Sequence, residues 1–293
     1  MKGLYISESF LKTDAAGIRS RTIYKFLNDE IISFDGYSLS KATKGDCAYY
    51  SNPLWVEKFR HGNIFFMLLN EFLSLLGLFF FIIRSRSNYD YYVISSPPFV
   101  TSLFTSLLIQ SLGKKLIFDI RDLYPDLLFM KGFLNQNSFF AKGLISLTQK
   151  VYNKSFLFIA TNGMRLKIKK SLTHDNEILL LNGFVGNAVS KISLDNKDER
   201  FTVIFHGTLA RSQDASGLVN IIENCPNVSF KLYSKGRDYK KISKLLINNK
   251  NVSLNGIISK KQLDKEIKKS HIGISLRDNS ELSRASNPVK IFD

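Results

Sequence analysis

Short apolar runs alternate with amphipathic stretches along almost the whole chain. Leu4 to Ile6 reads as a strand, followed by a helix with Ile23, Phe26 and Leu27 on one face. Ile31 to Phe34 is a predicted second strand, and residues 36–60, with Gly36, Gly45 and Pro53, are predicted to be loop-rich. Strands are predicted at Tyr91–Ile94, Leu116–Asp119, Phe156–Ala160 and Ile178–Leu181. Helices fall at Phe99–Leu112, Ser138–Tyr152 and Met164–Lys170. Buried runs of four to six residues that alternate with helices point to a parallel, doubly wound sheet.

A polar stretch then breaks the pattern. Asn182-Gly183 closes the last strand, and residues 186–200 are charged and poor in large apolar side chains, as in a linker. A second alternating unit follows, with strands at Thr202–Phe205, Phe230–Tyr233, Val252–Leu254 and Ile272–Leu276. Its helices lie around Leu218–Ile222, Tyr239–Ile247 and Leu263–Lys269. The expected organisation is a first domain over 1–185, a linker over 186–200 and a second domain over 201–293.

One segment is apolar without interruption over a bilayer's width. Ile64 to Ile83 holds only Asn70 and Glu71 as strongly polar residues, with Arg60, Arg84 and Arg86 at its ends. Three readings stand: a buried helix packed on the sheet, a helix partly inserted in a membrane interface, or a span. A carboxylate in mid-membrane is costly, and a span would separate strands of one sheet.

Charge changes the picture more than composition does. The 293 residues hold 41 Lys+Arg against 25 Asp+Glu, a net charge of +16. That balance favours polyanions: nucleic acid, an anionic membrane or a diphosphate. The basic residues are scattered, and no nucleic-acid-binding signature is visible, so a nucleic-acid partner is not expected. Cys47 and Cys225 are far apart, which suits a reducing compartment. The N-terminal residues lack a run long enough for a signal peptide. The expected location is cytoplasmic, peripheral at the inner face of the membrane.

Candidate chemistry sits at strand ends, where open α/β sheets bind ligands. Asp119-Ile120-Arg121-Asp122-Leu123-Tyr124-Pro125 ends one strand, and Asp122 and Arg121 are candidates for holding an acceptor; Asp122 could equally cap the short helix that follows. Gly17 and Arg19 are expected to face the ligand from the first strand–helix turn. In the second unit, Phe205-His206-Gly207-Thr208-Leu209-Ala210-Arg211 leads from a strand toward a helix. A glycine there lets backbone approach phosphate, and Arg211 is a candidate diphosphate partner. An ordinary glycine turn and a solvated arginine remain the plainer reading of that loop. The chain has no Asp-x-Asp pair and no metal-like spacing among His61, His174, His206 and His271, so a metal-independent site with no cofactor is expected.

Taken in order, these segments resemble the family 4 glycosyltransferases, retaining enzymes with two Rossmann-like domains in the GT-B arrangement. Asp119–Pro125 looks like the Arg-Asp-Leu-Trp-Pro loop of the branch that builds capsular polysaccharide and O-antigen. Asn182-Gly183 looks like the end of that family's first domain. Asn251-Val252-Ser253-Leu254-Asn255-Gly256 matches a later strand, with Gly256 and Ile257 against the base. Pro288-Val289-Lys290-Ile291-Phe292-Asp293 looks like its Pro-x-Lys-x-x-Glu-Tyr segment. The resemblance implies a nucleoside-diphosphate sugar held by Gly207, Thr208, Arg211, Gly256, Ile257, Lys290 and Asp293. It also implies a saccharide or lipid-linked acceptor. Departures are Ala285 where the family often has glutamate, Gln213-Asp214 where it has a basic residue, and an end inside the last motif. The second domain is accordingly expected to be incomplete and this form to be unstable and weakly active. The alternatives are an inactive GT-B-like protein or a sugar-nucleotide epimerase.

Overall fold

A computed structural model describes residues 1–11, 15–39, 49–50, 64–182, 197–209 and 213–285. The chain divides into two compact units, Met1–Asn182 and Gly183–Asp293. Each is an α/β unit on a parallel sheet, the Rossmann-like class that the alternation predicts.

The first unit holds β1 (Gly3–Ser7), α1 (Ala15–Glu30), β2 (Phe34–Ser38), β3 (Tyr49–Tyr50) and α2 (Ile64–Ser85). It continues through β4 (Tyr91–Ser96), α3 (Phe99–Ser111), β5 (Lys115–Ile120), α4 (Asp126–Met130) and α5 (Phe139–Asn153). It closes with β6 (Phe156–Ile159), α6 (Asn162–Lys169) and β7 (Glu177–Leu179). The strand order is β3-β2-β1-β4-β5-β6-β7, all parallel.

Both faces of this sheet are covered, which is why its central strands are apolar at successive positions. On one face Tyr5, Phe34 and Val93 pack with Phe10 and with Ile23 and Leu27 of α1. On the other, α2 packs on α3 and α3 on α5. Phe118 of β5 meets Tyr152 of α5 there, with ring centroids 5.7 Å apart. Ser138 caps α5 by accepting from the Ala141 N–H, and Thr161 caps α6 by accepting from Met164.

Three elements differ from expectation. The second strand runs Phe34–Ser38, not Ile31–Phe34, and Ile31 is 58% exposed. The amides of Ile31 and Ile32 both donate to the Leu27 carbonyl at the end of α1, and Asn28 Oδ1 receives the Phe34 N–H, so pairing starts only there. Asp35 is unusual in a strand, but Tyr89 and Lys2 both reach its carboxylate, each at 2.7 Å. The two-residue β3 lies in the segment expected to be loop. The strand expected at Ile272–Leu276 pairs only over Ile272–Gly273.

The second unit holds β8 (Thr202–Thr208), α7 (Ala215–Asn224), β9 (Ser229–Lys235), α8 (Arg237–Leu246) and β10 (Val252–Asn255). α9 (Lys260–Lys269), β11 (Ile272–Gly273) and α10 (Glu281–Ala285) follow. Its sheet has order β10-β9-β8-β11. Val203, Phe205, Phe230 and Leu232 pack with Leu218 and Ile222 of α7 and Ile242 and Leu246 of α8. Ser259 and Gln262 form a capping box that starts α9.

Candidate active site

In the first unit, polar side chains gather where β1, β4 and β5 end. Asp119 is fully buried near the end of β5. It receives Arg19 from α1: Nη2 donates to Oδ1 at 2.6 Å and Nε reaches both oxygens at 3.1 and 3.2 Å. Ser95 of β4 donates to Oδ2 at 2.9 Å, and Arg19 Nη1 donates to the Leu180 carbonyl and to Asn182 Oδ1. Burial alone would lower the Arg19 pKa, but the Asp119 charge and hydrogen bonds outweigh it and raise the value. Arg19 is 7% exposed. It ties the first helix to the end of the sheet and is not an open cation awaiting a ligand.

Gly17 is also inward. A Cβ there would lie 2.0 Å from the Leu11 carbonyl oxygen and 2.5 Å from its nitrogen, so the glycine lets the segment after β1 press against α1. Gly17 and Arg19 thus shape the mouth of the sheet from behind it.

Beyond that layer lies a more open group. Arg121 and Asp122 follow β5 directly and are both half-buried. Arg121 donates its amide N–H to the Ser96 carbonyl, while Nη1 of its side chain is buried with no hydrogen-bond partner among the described residues. Asp122 does not cap α4, whose N-cap is Pro125. Its backbone carbonyl accepts from the Tyr124 amide at 3.1 Å. Tyr124 stacks on Phe99 with centroids 4.9 Å apart, and its hydroxyl is pushed up to about 12 by burial and then by Asp122, Glu71 and Glu8. Carboxylates from β1's end, α2 and β5's end thus all act on one phenol.

Glu71 has a second task. Pro98 offers no side-chain cap to α3, and the Glu71 carboxylate instead accepts from the Val100 and Thr101 amides at 3.0 and 3.4 Å. Burial raises its pKa, the two backbone N–H groups oppose the shift, and Glu8 adds to it. Neither Glu8 nor Tyr124 stands out in the sequence as a site residue, and Glu71 reads there only as a break in an apolar run.

In the second unit, glycines occupy the ends of three adjacent strands. Gly207 (φ 99°) lies near the end of β8, Gly236 (φ 115°) follows β9, and Gly256 follows β10. Gly207 is opposite Ser234, and Asn255, just before Gly256, is opposite Tyr233, so Gly236 lies about two residues beyond the level that the other two share. Ser234 Oγ donates to the Gly207 carbonyl at 2.7 Å, and the Leu209 N–H donates to the Lys235 carbonyl at 2.9 Å. A Cβ on Gly236 would come within 2.5 Å of the Leu209 oxygen. Only glycine allows both that approach and that φ. Gly236 is also the N-cap of α8 and supplies no side-chain cap hydrogen bond to the helix N-terminus. Thr208, Gly256 and Ile257 are exposed at the same edge. Gly236 is legible as a glycine between a predicted strand and helix, but in this unit the sequence motifs single out only Gly207 and Gly256. Arg211, Lys290 and Asp293 lie outside the described residues, as do residues 286–293 and most of the expected linker.

No protein-family model matches the chain, and no curated protein sequence does. Solved structures do. HepE of Anabaena, determined in complex with UDP, aligns with a TM-score of 0.60 at 9% identity, over 93% of this chain and 73% of that one. A glycosyltransferase from Rickettsia africae gives 0.57 at 14% identity, over 94% and 72%. A UDP-N-acetylglucosamine 2-epimerase gives 0.53 at 11% identity, over 93% and 72%. At these identities what is shared is the fold, and the fold is that of proteins built from two Rossmann-like units.

Proposed function

We propose that this protein is a glycosyltransferase that moves a sugar from a nucleoside-diphosphate donor to a saccharide or lipid-linked acceptor, in the building of a cell-surface polysaccharide at the inner face of the cytoplasmic membrane. The observation that carries the reading is that Gly207, Gly236 and Gly256 stand at the ends of three adjacent parallel strands. Bare backbone and the uncapped start of α8 suit a diphosphate, which is bound by N–H groups and the helix dipole. The same donors stabilise the negative charge that grows on the leaving diphosphate as the anomeric bond breaks. Gly256 and Ile257 take the base side of the nucleotide, Gly207 and Thr208 the diphosphate, and Arg211, Lys290 and Asp293 complete the donor set.

In the first unit, Asp122 accepts a hydrogen bond from the acceptor hydroxyl, and the half-buried Arg121 beside it holds another acceptor oxygen. Tyr124 supplies a flat apolar surface of the kind a sugar ring packs on. The fold likeness to glycosyltransferases supports the reading, as does the ordered set of family 4 motifs, which also implies retention of the anomeric configuration.

The test is calorimetric titration with UDP-, GDP- and dTDP-sugars, with and without EDTA. Binding that EDTA leaves unchanged is expected. Binding that is lost with EDTA and restored by Mn²⁺ or Mg²⁺ would count against the metal-independent site. The likeness to a 2-epimerase favours a second reading, epimerisation of the donor sugar itself. NMR of UDP-N-acetylglucosamine incubated without acceptor separates the two: a new sugar configuration with the nucleotide intact means epimerase.

A further inference from the structure

The helices on one side of the first sheet present aromatic residues to solvent. α2 buries Ser74, Leu78 and Ile82 and turns Phe72, Leu76, Phe79 and Phe80 outward. Those four recur at helical spacing, so they form one continuous stripe. Phe80 is 69% exposed. α3, packed against α2, adds Phe104. α5, packed against α3, opens on Phe139 and Phe140, which are 87% and 76% exposed. The segment leading into it adds Met130 and Phe133, also exposed. An apolar surface drawn from three adjacent helices is larger than scattered exposed residues account for.

The charge of the same region is one-sided. Between Glu71 and Asp119 the only carboxylate is Asp90, and there is none from Leu127 to His174. Arg84 and Arg86 lie at the end of α2, and Lys131, Lys142, Lys150 and Lys154 lie along and beside α5. None of these six makes an ion pair with the described residues. Aromatic side chains fringed mainly by Lys and Arg complement an anionic lipid bilayer: rings enter the headgroup boundary while the cations meet lipid phosphates. Among the described residues no helix is long and apolar enough to cross a membrane.

We infer that the outer face of α2, α3 and α5 docks flat on an anionic bilayer, with Phe139 and Phe140 as the inserted residues at one end and Phe79 and Phe80 along the α2 stripe. Flotation of the full chain with phosphatidylglycerol-containing and pure phosphatidylcholine vesicles tests this. Binding to the anionic vesicles is expected, weakened when salt rises from about 0.1 M to about 1 M and the screening length falls from about 10 to about 3 Å. The double variant Phe139→Ser/Phe140→Ser should lower partitioning by about tenfold or more. Its circular dichroism and melting should be unchanged, since both rings are already in water. Phe79→Ser/Phe80→Ser is the independent second variant. Wild-type protein that ignores anionic vesicles at low salt overturns the inference, and so do variants that bind as wild type does. A dimer seen by sedimentation, lost in the same variants and unaccompanied by vesicle binding, overturns it in favour of a second copy of the chain. No sugar nucleotide enters these measurements, so their outcome is separate from that of the transfer reaction.

Discussion

Arg19 and Asp119 stand a hundred residues apart in sequence and form a buried, two-point ion pair, with Nη2 to Oδ1 at 2.6 Å. The pair links α1 to β5, while Ser95, Leu180 and Asn182 bring β4 and the chain after β7 into the same network. Such a pair is costly to break from one side, because the remaining charge stays buried. Asp119→Ala should therefore lose about 3–5 kcal/mol of unfolding free energy in urea, and the double variant Arg19→Met/Asp119→Leu should lose less. Equal losses in the two would show that the stranded guanidinium is not the cause.

Gly236 should be far less replaceable than Gly256. Alanine there meets the Leu209 oxygen at 2.5 Å with φ at 115°. The expected cost is about 1–3 kcal/mol of stability. Nucleoside-diphosphate affinity should fall about tenfold, the equivalent of roughly 1.4 kcal/mol. Gly256→Ala is the control: a Cβ at Gly256 meets nothing within 4 Å, so stability should change by less than about 0.5 kcal/mol. Chemical denaturation and calorimetry of both variants check the contrast.

Glu71 should make stability depend on pH. Its folded pKa is raised, chiefly by burial. A raised carboxyl contributes stability that is complete below its unfolded value, near 4.3, and is lost as pH rises through the folded value. The melting temperature of Glu71→Gln should accordingly gain on that of wild type as pH rises from mildly acidic to neutral. A constant difference between the two across that range would refute the assignment.

Asp122 should matter to the acceptor and not to the donor. Asp122→Asn keeps the shape of the loop but weakens its hold on a hydroxyl. Transfer measured as kcat/KM for acceptor should fall about 10²-fold, on the scale of losing a positioning contact. The donor Kd from titration should stay unchanged. A matched loss of donor affinity would move Asp122 out of the acceptor role.

Much of the fold was legible because burial on a parallel sheet leaves a local mark. Tyr91–Ser96 and Lys115–Ile120 are covered on both faces, so Tyr91–Ile94 and Leu116–Phe118 are apolar at successive positions, and both strands fall where the pattern puts them. β2 was misplaced because Phe34-Asp35-Gly36-Tyr37-Ser38 carries no such mark. Its charge is answered by Lys2 and Tyr89, which lie far away in sequence. The candidate site divides the same way. Gly207, Asp122 and Arg121 announce themselves by following predicted strands, whereas Gly236 becomes distinct only through its φ and its contact with Leu209.

The sequence by itself determined the alternation of strands and helices, the positive charge and the strand ends that carry the candidate residues, because periodicity, charge and glycine are properties of neighbouring residues. Only the tertiary structure decided that Arg19 turns inward to Asp119 and that Glu71 caps α3. Only it stacked Tyr124 on Phe99. It likewise put Phe139 and Phe140 on the same helix layer as the α2 stripe. Each of these depends on which segments the sheet order makes adjacent, and desolvation and Coulomb attraction act between side chains close in space, whatever their distance along the chain.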